Sequence, residues 1–319
     1  MNFIFAKPRD CFYALPRLLA GLFLAGLGIS STSRADIMYV ANYGNSTIET
    51  FTSGGVSAVF ASTGLLRPMG LAFDAPGNLY VANSRDNTIG KFTPGGVGSV
   101  FVSSGLSIPL GLAFDGTGNL YTASVGNITI KKFTSDGSGS LFSSARLSGP
   151  YGMAFDAGGN LYVANQDPGW IVKYTPGGVS TIFASTALNA PVGLAFDIAG
   201  NLYAANYGNN TIAKFTPDGT GSIFASTDLN KPYGMAFDLA GNLYVANSGN
   251  NTIAEFTPDG VGSVFASTGL DRPTFIALTD DVGIPLLQPG GRLIPEPSTW
   301  TILAFGTASL ISLRRNKPP

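Results

Sequence analysis

The residues that could do chemistry in this chain are few. It has no histidine, and its one cysteine is Cys11. A Cys/His metal site and the usual general base of nucleophilic catalysis are therefore excluded. Aspartate recurs at Asp74, Asp115, Asp156, Asp197 and Asp238, each 41 residues after the last and each opening a D-x-x-G-N stretch. Carboxylates in register suggest a ring for a cation. The stretch itself argues for a local role, because an Asp at the head of such a turn accepts from nearby backbone N–H groups. The glutamates of the same region, Glu49 and Glu255, each sit inside a strand-like run. No phosphate loop, nucleophile elbow, paired-carboxylate constellation or calcium-loop spacing is present. No residue is assigned a catalytic or metal-ligating role on these grounds, and no cofactor is expected.

Chemistry particular to this chain belongs where its copies differ. The residue before a repeated proline is Arg67, Ile108, Gly149, Ala190, Lys231 and Arg272 in turn; the residue after it is Met69, Leu110, Tyr151, Val192, Tyr233 and Thr274. Two stretches also replace a turn that begins Gly-Asn in the other copies, as in GNN: NSRDN, with Arg85 and Asp86, and NQDPGW, with Asp167 and Trp170. Clustered cations would hold an anion or an acidic glycan, the tyrosines would stack on a sugar or apolar ligand, and an exposed Trp would mark a contact. The scaffold alternatives are solvated loop charge partly neutralised by neighbours such as Asp271, rim packing of the tyrosines, and inward packing of Trp170.

Which of these residues meet depends on the elements beneath them. The tyrosine of NLYVAN repeats at Tyr39, Tyr80, Tyr121, Tyr162, Tyr203 and Tyr244 without insertion or deletion. A second aromatic repeats at Phe51, Phe92, Phe133, Tyr174, Phe215 and Phe256, and a third at Phe60, Phe101, Phe142, Phe183, Phe224 and Phe265. Each unit reads as four short runs rich in aromatic and β-branched residues, such as GMAFD, NLYVAN, TIAEFT and SVFAST, bounded by Gly, Asn, Asp or Pro. Four strands in about 40 residues is the spacing of a propeller blade. The expected fold is all-β, a six-bladed β-propeller of four-stranded blades over residues 36–278. The aromatic columns are its core.

The unit P-x-G-[LI]-A-[FV]-D-x-x-G-N-[LI]-Y-V-[AT] resembles the NHL-type repeat over residues 37–278. The resemblance implies a six-bladed ring, with Vgb-like lyases and gluconolactonases as more distant relatives in architecture. Those relatives imply sites that do not carry over: the lyases rely on a histidine, and the lactonases hold a channel metal through a set that includes Glu. The first copy, from Ile37, begins at a second strand, and the last copy, DRPTFIALTDD, holds a first strand and nothing after it. Strand 274–278 should therefore close the first blade beside Ile37–Asn42 and remove both open edges. Closure makes Lys231, Arg272 and Arg67 consecutive around one mouth.

The ends read as addresses. Residues 1–35 combine Lys7, Arg9 and Arg17, the apolar run Leu18–Ile29, and small Ser33 and Ala35 before a cut at Asp36. That is a secretory signal, with an N-terminal anchor as the alternative. After a linker over 279–294 come Pro295, Glu296 and Pro297, an apolar run from Trp300 to Leu313, then Arg314, Arg315 and Lys317. As physics this is a weak stop-transfer segment over 295–319. As a pattern it resembles the PEP-CTERM sorting signal of Gram-negative bacteria, which implies an exosortase-type partner and transient anchoring in the inner membrane. Without the two ends the body keeps 18 − 7 = 11 basic and 19 − 2 = 17 acidic residues, a net of −6. Such a body is a poor match for nucleic acid. The sequence thus points to an exported, non-catalytic binding or matrix module at the cell envelope, with exopolysaccharide or envelope proteins as partners. The alternative is an exported lyase- or lactonase-like enzyme using a channel metal held by Asp and Asn.

Overall fold

A computed structural model of the chain describes residues 36–280 and 283–286. The signal, the apolar run at the end, and Pro295, Glu296, Pro297, Arg314 and Arg315 lie outside the described residues. Twenty-four strands form six antiparallel sheets of four. Blade I is β24 (Pro273–Thr279), β1 (Ile37–Asn42), β2 (Thr47–Phe51) and β3 (Ser57–Ala61), from the channel outward. Blade II is β4 (Pro68–Phe73), β5 (Leu79–Asn83), β6 (Thr88–Phe92) and β7 (Gly98–Val102). Blades III to VI repeat this order and begin at Pro109, Pro150, Pro191 and Pro232. This is the expected six-bladed propeller. Every innermost strand starts at a proline on one face of the disc, here the proline face, and ends at the D-x-x-G-N turn on the other, the aspartate face.

Two side-chain columns explain why the blades stack. Each second-strand tyrosine wedges between blades: Tyr80 meets Phe101 of its own blade at 4.9 Å and Phe114 of the next at 5.0 Å, both edge-on. The third-strand aromatics Phe51, Phe92, Phe215 and Phe256 are almost wholly buried between sheets. Offset and edge-on pairs of this kind add to the area that each ring buries. Nearer the axis, a column of glycines lets neighbouring backbones touch. A Cβ on Gly70, Gly111, Gly152 or Gly193 would lie 2.0–2.3 Å from a carbonyl oxygen of the next blade, and one on Gly234 only 2.5 Å from the Cα of Phe275. No side chain fits there, so glycine is dictated by the ring itself.

Blade I breaks that column. Its sixth slot holds Phe275, whose ring lines the central cavity and stands 5.6 Å from the ring of Tyr233.

Closure follows the expected register. β24 pairs antiparallel with β1, with Ile37 opposite Thr279 and Val40 opposite Ile276. The sheet continues past the predicted strand end, however, and Thr279 onward is not yet linker. Asp280 opens a turn in which its backbone N–H donates to Ile284 O at 2.8 Å and its Oδ1 accepts from Ile284 N at 2.8 Å. This is the aspartate turn of the other blades, displaced by one residue and lacking its Asn. The chain then bridges Pro285 to Thr279, donates from Leu286 N to Leu278 O, and sets Leu286 against the central cavity. Among the described residues no helix is long and apolar enough to cross a membrane.

Candidate functional site

The aspartate face spends its charges on itself. Asp156 Oδ1 accepts from Asn160 N at 2.8 Å, and its Oδ2 accepts from Asn160 Nδ2 at 2.8 Å and from the Tyr162 hydroxyl at 3.2 Å. Lys173 on the third strand stands 3.7 Å from the same oxygen and 5.2 Å above the Tyr162 ring. The same set recurs with Lys91, Lys132 and Lys214 on Asp74, Asp115 and Asp197 at 3.5–3.8 Å. At Asp115 partial burial pushes the carboxyl upward, but hydrogen bonds from Asn119 and Thr117 outweigh it and hold the group below its ordinary range. The aspartates are thus turn caps with a lysine and an asparagine as partners, and none lines the cavity on the axis. In blade VI the lysine slot holds Glu255, which accepts from the Tyr244 hydroxyl at 3.0 Å. Glu49 is buried on β2, where desolvation raises its carboxyl. Among the described residues no group of three His, Cys, Asp or Glu could hold a metal ion. The cavity, about 120 Å³, is lined by residues such as Leu71, Phe73, Met153, Met235 and Ile276.

The proline face is built differently. In every blade but III, where the slot holds Ser124, a buried asparagine at the end of the second strand ties down the loop that enters the innermost strand. Asn42 accepts from Asp271 N at 3.1 Å and donates to Gly269 O at 2.9 Å. Asn83 does the same for Leu66 N and Gly64 O, and Asn247 for Asn230 N and Asp228 O. The next residue of each loop is pinned again from the neighbouring blade: Arg67 N donates to Ser46 Oγ, Lys231 N to Asn210 Oδ1 and Arg272 N to Asn251 Oδ1, at 2.7–3.1 Å. These fixed loops hold Arg67, Lys231 and Arg272 at φ of 49–51°, a left-handed backbone that costs a non-glycine residue about 1 kcal/mol or more. Blade IV solves the same geometry with Gly149. Ile108 and Ala190 carry the same backbone in blades III and V, so this conformation belongs to the repeat.

The side chains of Arg67, Lys231 and Arg272 converge on tyrosines that the sequence reading passed over. The guanidinium carbons of Arg67 and Arg272 stand 5.2 and 4.8 Å from the centre of one ring, Tyr43, and Arg67 Nη1 donates to its hydroxyl at 3.0 Å. Lys231 Nζ stands 4.8 Å from the centre of the Tyr207 ring. Tyr207 packs edge-on against Tyr233 at 6.0 Å, and Tyr233 against Tyr151 at 6.2 Å. Below them lies Phe275. Burial raises the phenol of Tyr233 well above its ordinary range, with the phenols of Tyr151 and Tyr207 adding to the effect. Tyr151 is raised in the same way. The hydroxyls stay protonated at neutral pH and remain donors. The result is a cluster that we call the cup: packed aromatic rings with phenol hydroxyls, and three cations on one side of it.

The other candidates separate from this cup. Arg85 and Asp86 are exposed on the turn after β5, where Asp86 accepts from Thr88 Oγ1 at 2.9 Å. Asn45, Asn127, Asn209 and Asn250 do the same at the equivalent place, so Asp86 is a turn cap. Asp167 is exposed on the turn after the second strand of blade IV, Leu161–Asn165. Trp170 opens the next strand, Trp170–Tyr174, and is half-buried against the core cluster between blades III and IV. Tyr43 and Tyr207 had a legible signal: they occupy the slot after the repeated Asn, which holds Ser84, Val125, Gln166 and Ser248 in the other blades.

A family model described as the Virginiamycin B lyase family matches residues 25–284. No curated protein matches. Among solved structures, a chain of a nidogen/laminin complex superposes with a TM-score of 0.71 at 21% identity, covering 77% of this chain and 99% of that one. Virginiamycin B lyase from Staphylococcus aureus superposes at 0.61 and 17% identity, covering 79% and 94%. A catalytically inactive histidine-to-alanine variant of that lyase, solved with quinupristin, superposes at 0.60 and 16% identity, covering 80% and 94%. At these identities the structures share the fold.

Proposed function

The chain belongs to the Virginiamycin B lyase family, and from that premise we propose that it is a member that binds without catalysis. It is an exported binding or matrix module of the cell envelope whose ligand, a glycan or a protein, seats in the cup of the proline face. One observation carries the reading. Replacing one histidine with alanine leaves the S. aureus lyase inactive, as its structure is described, and this chain has no histidine anywhere. The cup supports binding: rigid loops, half-buried tyrosines, and cations directed into it. Export rests on the two terminal segments, which fit a secretory signal and an exosortase-sorted tail. Family membership favours one alternative, a lyase or lactonase-like enzyme with a metal in the channel. Against it stand the apolar lining of the cavity and aspartates already engaged by lysine and asparagine.

The test is an array of glycans and envelope proteins probed with the full chain and with its Arg67→Ala/Lys231→Ala/Arg272→Ala variant. A hit lost in the variant supports the reading. Turnover of quinupristin that a chelator stops would overturn it, as would a hit that the variant retains in full.

A further inference from the structure

Resting on that reading, we infer that the group recognised in the cup is the carboxylate of a hexuronate residue, presented as the end or branch of an acidic glycan. The argument starts from the two arginines. Both guanidinium carbons lie within about 5 Å of the centre of the Tyr43 ring, one carried by the loop into blade II and the other by the loop into blade I. They are therefore within about 10 Å of each other, a distance at which like charges at a protein surface still repel. Among the described residues neither has a carboxylate partner, and neither has Lys231. By contrast, the lysines of the aspartate face at positions 91, 132, 173 and 214 each stand 3.5–3.8 Å from an aspartate. On the proline face Asp271 precedes Arg272, yet its carboxylate turns toward Gly44, where a Cβ would meet it at 2.1 Å. In a body of net charge −6, three cations gathered on two tyrosine rings with no acid among them are the arrangement of a site that receives its anion from outside.

The shape of the cup limits what carries the anion. Guanidinium forks match the planar geometry of a carboxylate. Beside them lie the phenol hydroxyls of Tyr43, Tyr151 and Tyr207, groups that both donate and accept and so suit the ring hydroxyls of a sugar, with aromatic edges for its C–H surface. Phe275 stands in the slot that holds glycine in the other five blades and adds its ring beside Tyr233.

The experiment is calorimetric titration of the full chain with three probes: a short oligogalacturonate, the same oligomer with its carboxyls reduced to alcohols, and a polyglutamate peptide of similar charge. The oligogalacturonate should bind, and the reduced oligomer should bind about tenfold to a hundredfold more weakly. Arg67→Ala and Arg272→Ala should each lose a similar factor, with melting temperatures confirming that both fold. Arg272→Lys, which keeps the charge and loses the fork, should fall between Arg272→Ala and the unsubstituted chain. Equal binding of the reduced oligomer overturns the inference, and so does polyglutamate binding as tightly as the uronate. If none of the three binds, while an array still yields a neutral glycan or a protein whose signal needs the three cations, the uronate assignment fails and the binding-module reading stands. Blank titrations together with a blank array sink both.

Discussion

The two faces of this disc carry similar residues and use them in opposite ways. On the aspartate face, lysine, aspartate and tyrosine recur at fixed slots, and blades II to V each close a Lys–Asp contact. On the proline face, arginine, lysine and tyrosine sit at slots whose occupants change around the ring, and the cations stack on rings with no acid opposite. Where all blades agree, charge is internal to the blade and serves the fold. Where they disagree, it points at solvent and is available to a ligand. In a repeat protein that contrast separates scaffold from site even when no catalytic motif is present.

The comparison can be broken or sharpened by substitution, with the largest effect expected at the seam. Deleting Thr274–Leu278 removes the inner strand of blade I and reopens both edges, so cooperative thermal unfolding should be lost altogether; a deleted chain that melts like the parent would refute closure. Next in size, Phe215→Ala empties a fully buried slot between blades and should cost about 3–5 kcal/mol in a denaturant titration. On the aspartate face, Asp156→Ala leaves the Asn160 N–H and amide without their acceptor and should cost about 1–3 kcal/mol. The same face should respond to acid. Asp115 titrates below its ordinary value of 3.8 in the folded protein, so its contribution is complete above that pH and is lost as pH falls through the lower, folded value. Asp115→Asn should therefore flatten the fall in stability below about pH 4 while leaving neutral stability lower. The smallest effect belongs to the proline face: Arg67→Ala, with its guanidinium exposed, should change stability by no more than about 0.5 kcal/mol.

Most of the fold was legible because the repeat is strict. A constant step fixed the strands, the blade count and the partner of the closing strand, and turn chemistry identified the aspartates as caps. What escaped has physical reasons. The sixth aspartate turn, at Asp280, was hidden by a single extra residue in β24 and by an isoleucine where the others have asparagine. Phe275 reads as one more apolar strand residue until the glycine column shows that its slot lies where neighbouring backbones touch. Trp170 looked like a contact because its loop is unusual, whereas strand pairing with Asn165 turns it inward. The basic arc was readable in outline, since closure alone makes Arg272 and Arg67 neighbours. That both lean on Tyr43 was not, because a cation–π contact between blades has no spacing in sequence.

The measurement that bears most directly on the division between faces compares two triple variants that each remove three positive charges. One is Arg67→Ala/Lys231→Ala/Arg272→Ala on the proline face; the other is Lys91→Ala/Lys132→Ala/Lys173→Ala on the aspartate face. Each is titrated with oligogalacturonate and melted. The first should lose binding and keep its melting temperature, and the second should keep binding and melt lower. Equal weakening of binding in both would mean that the ligand senses only net charge, and would contradict the assignment of the site to the proline face.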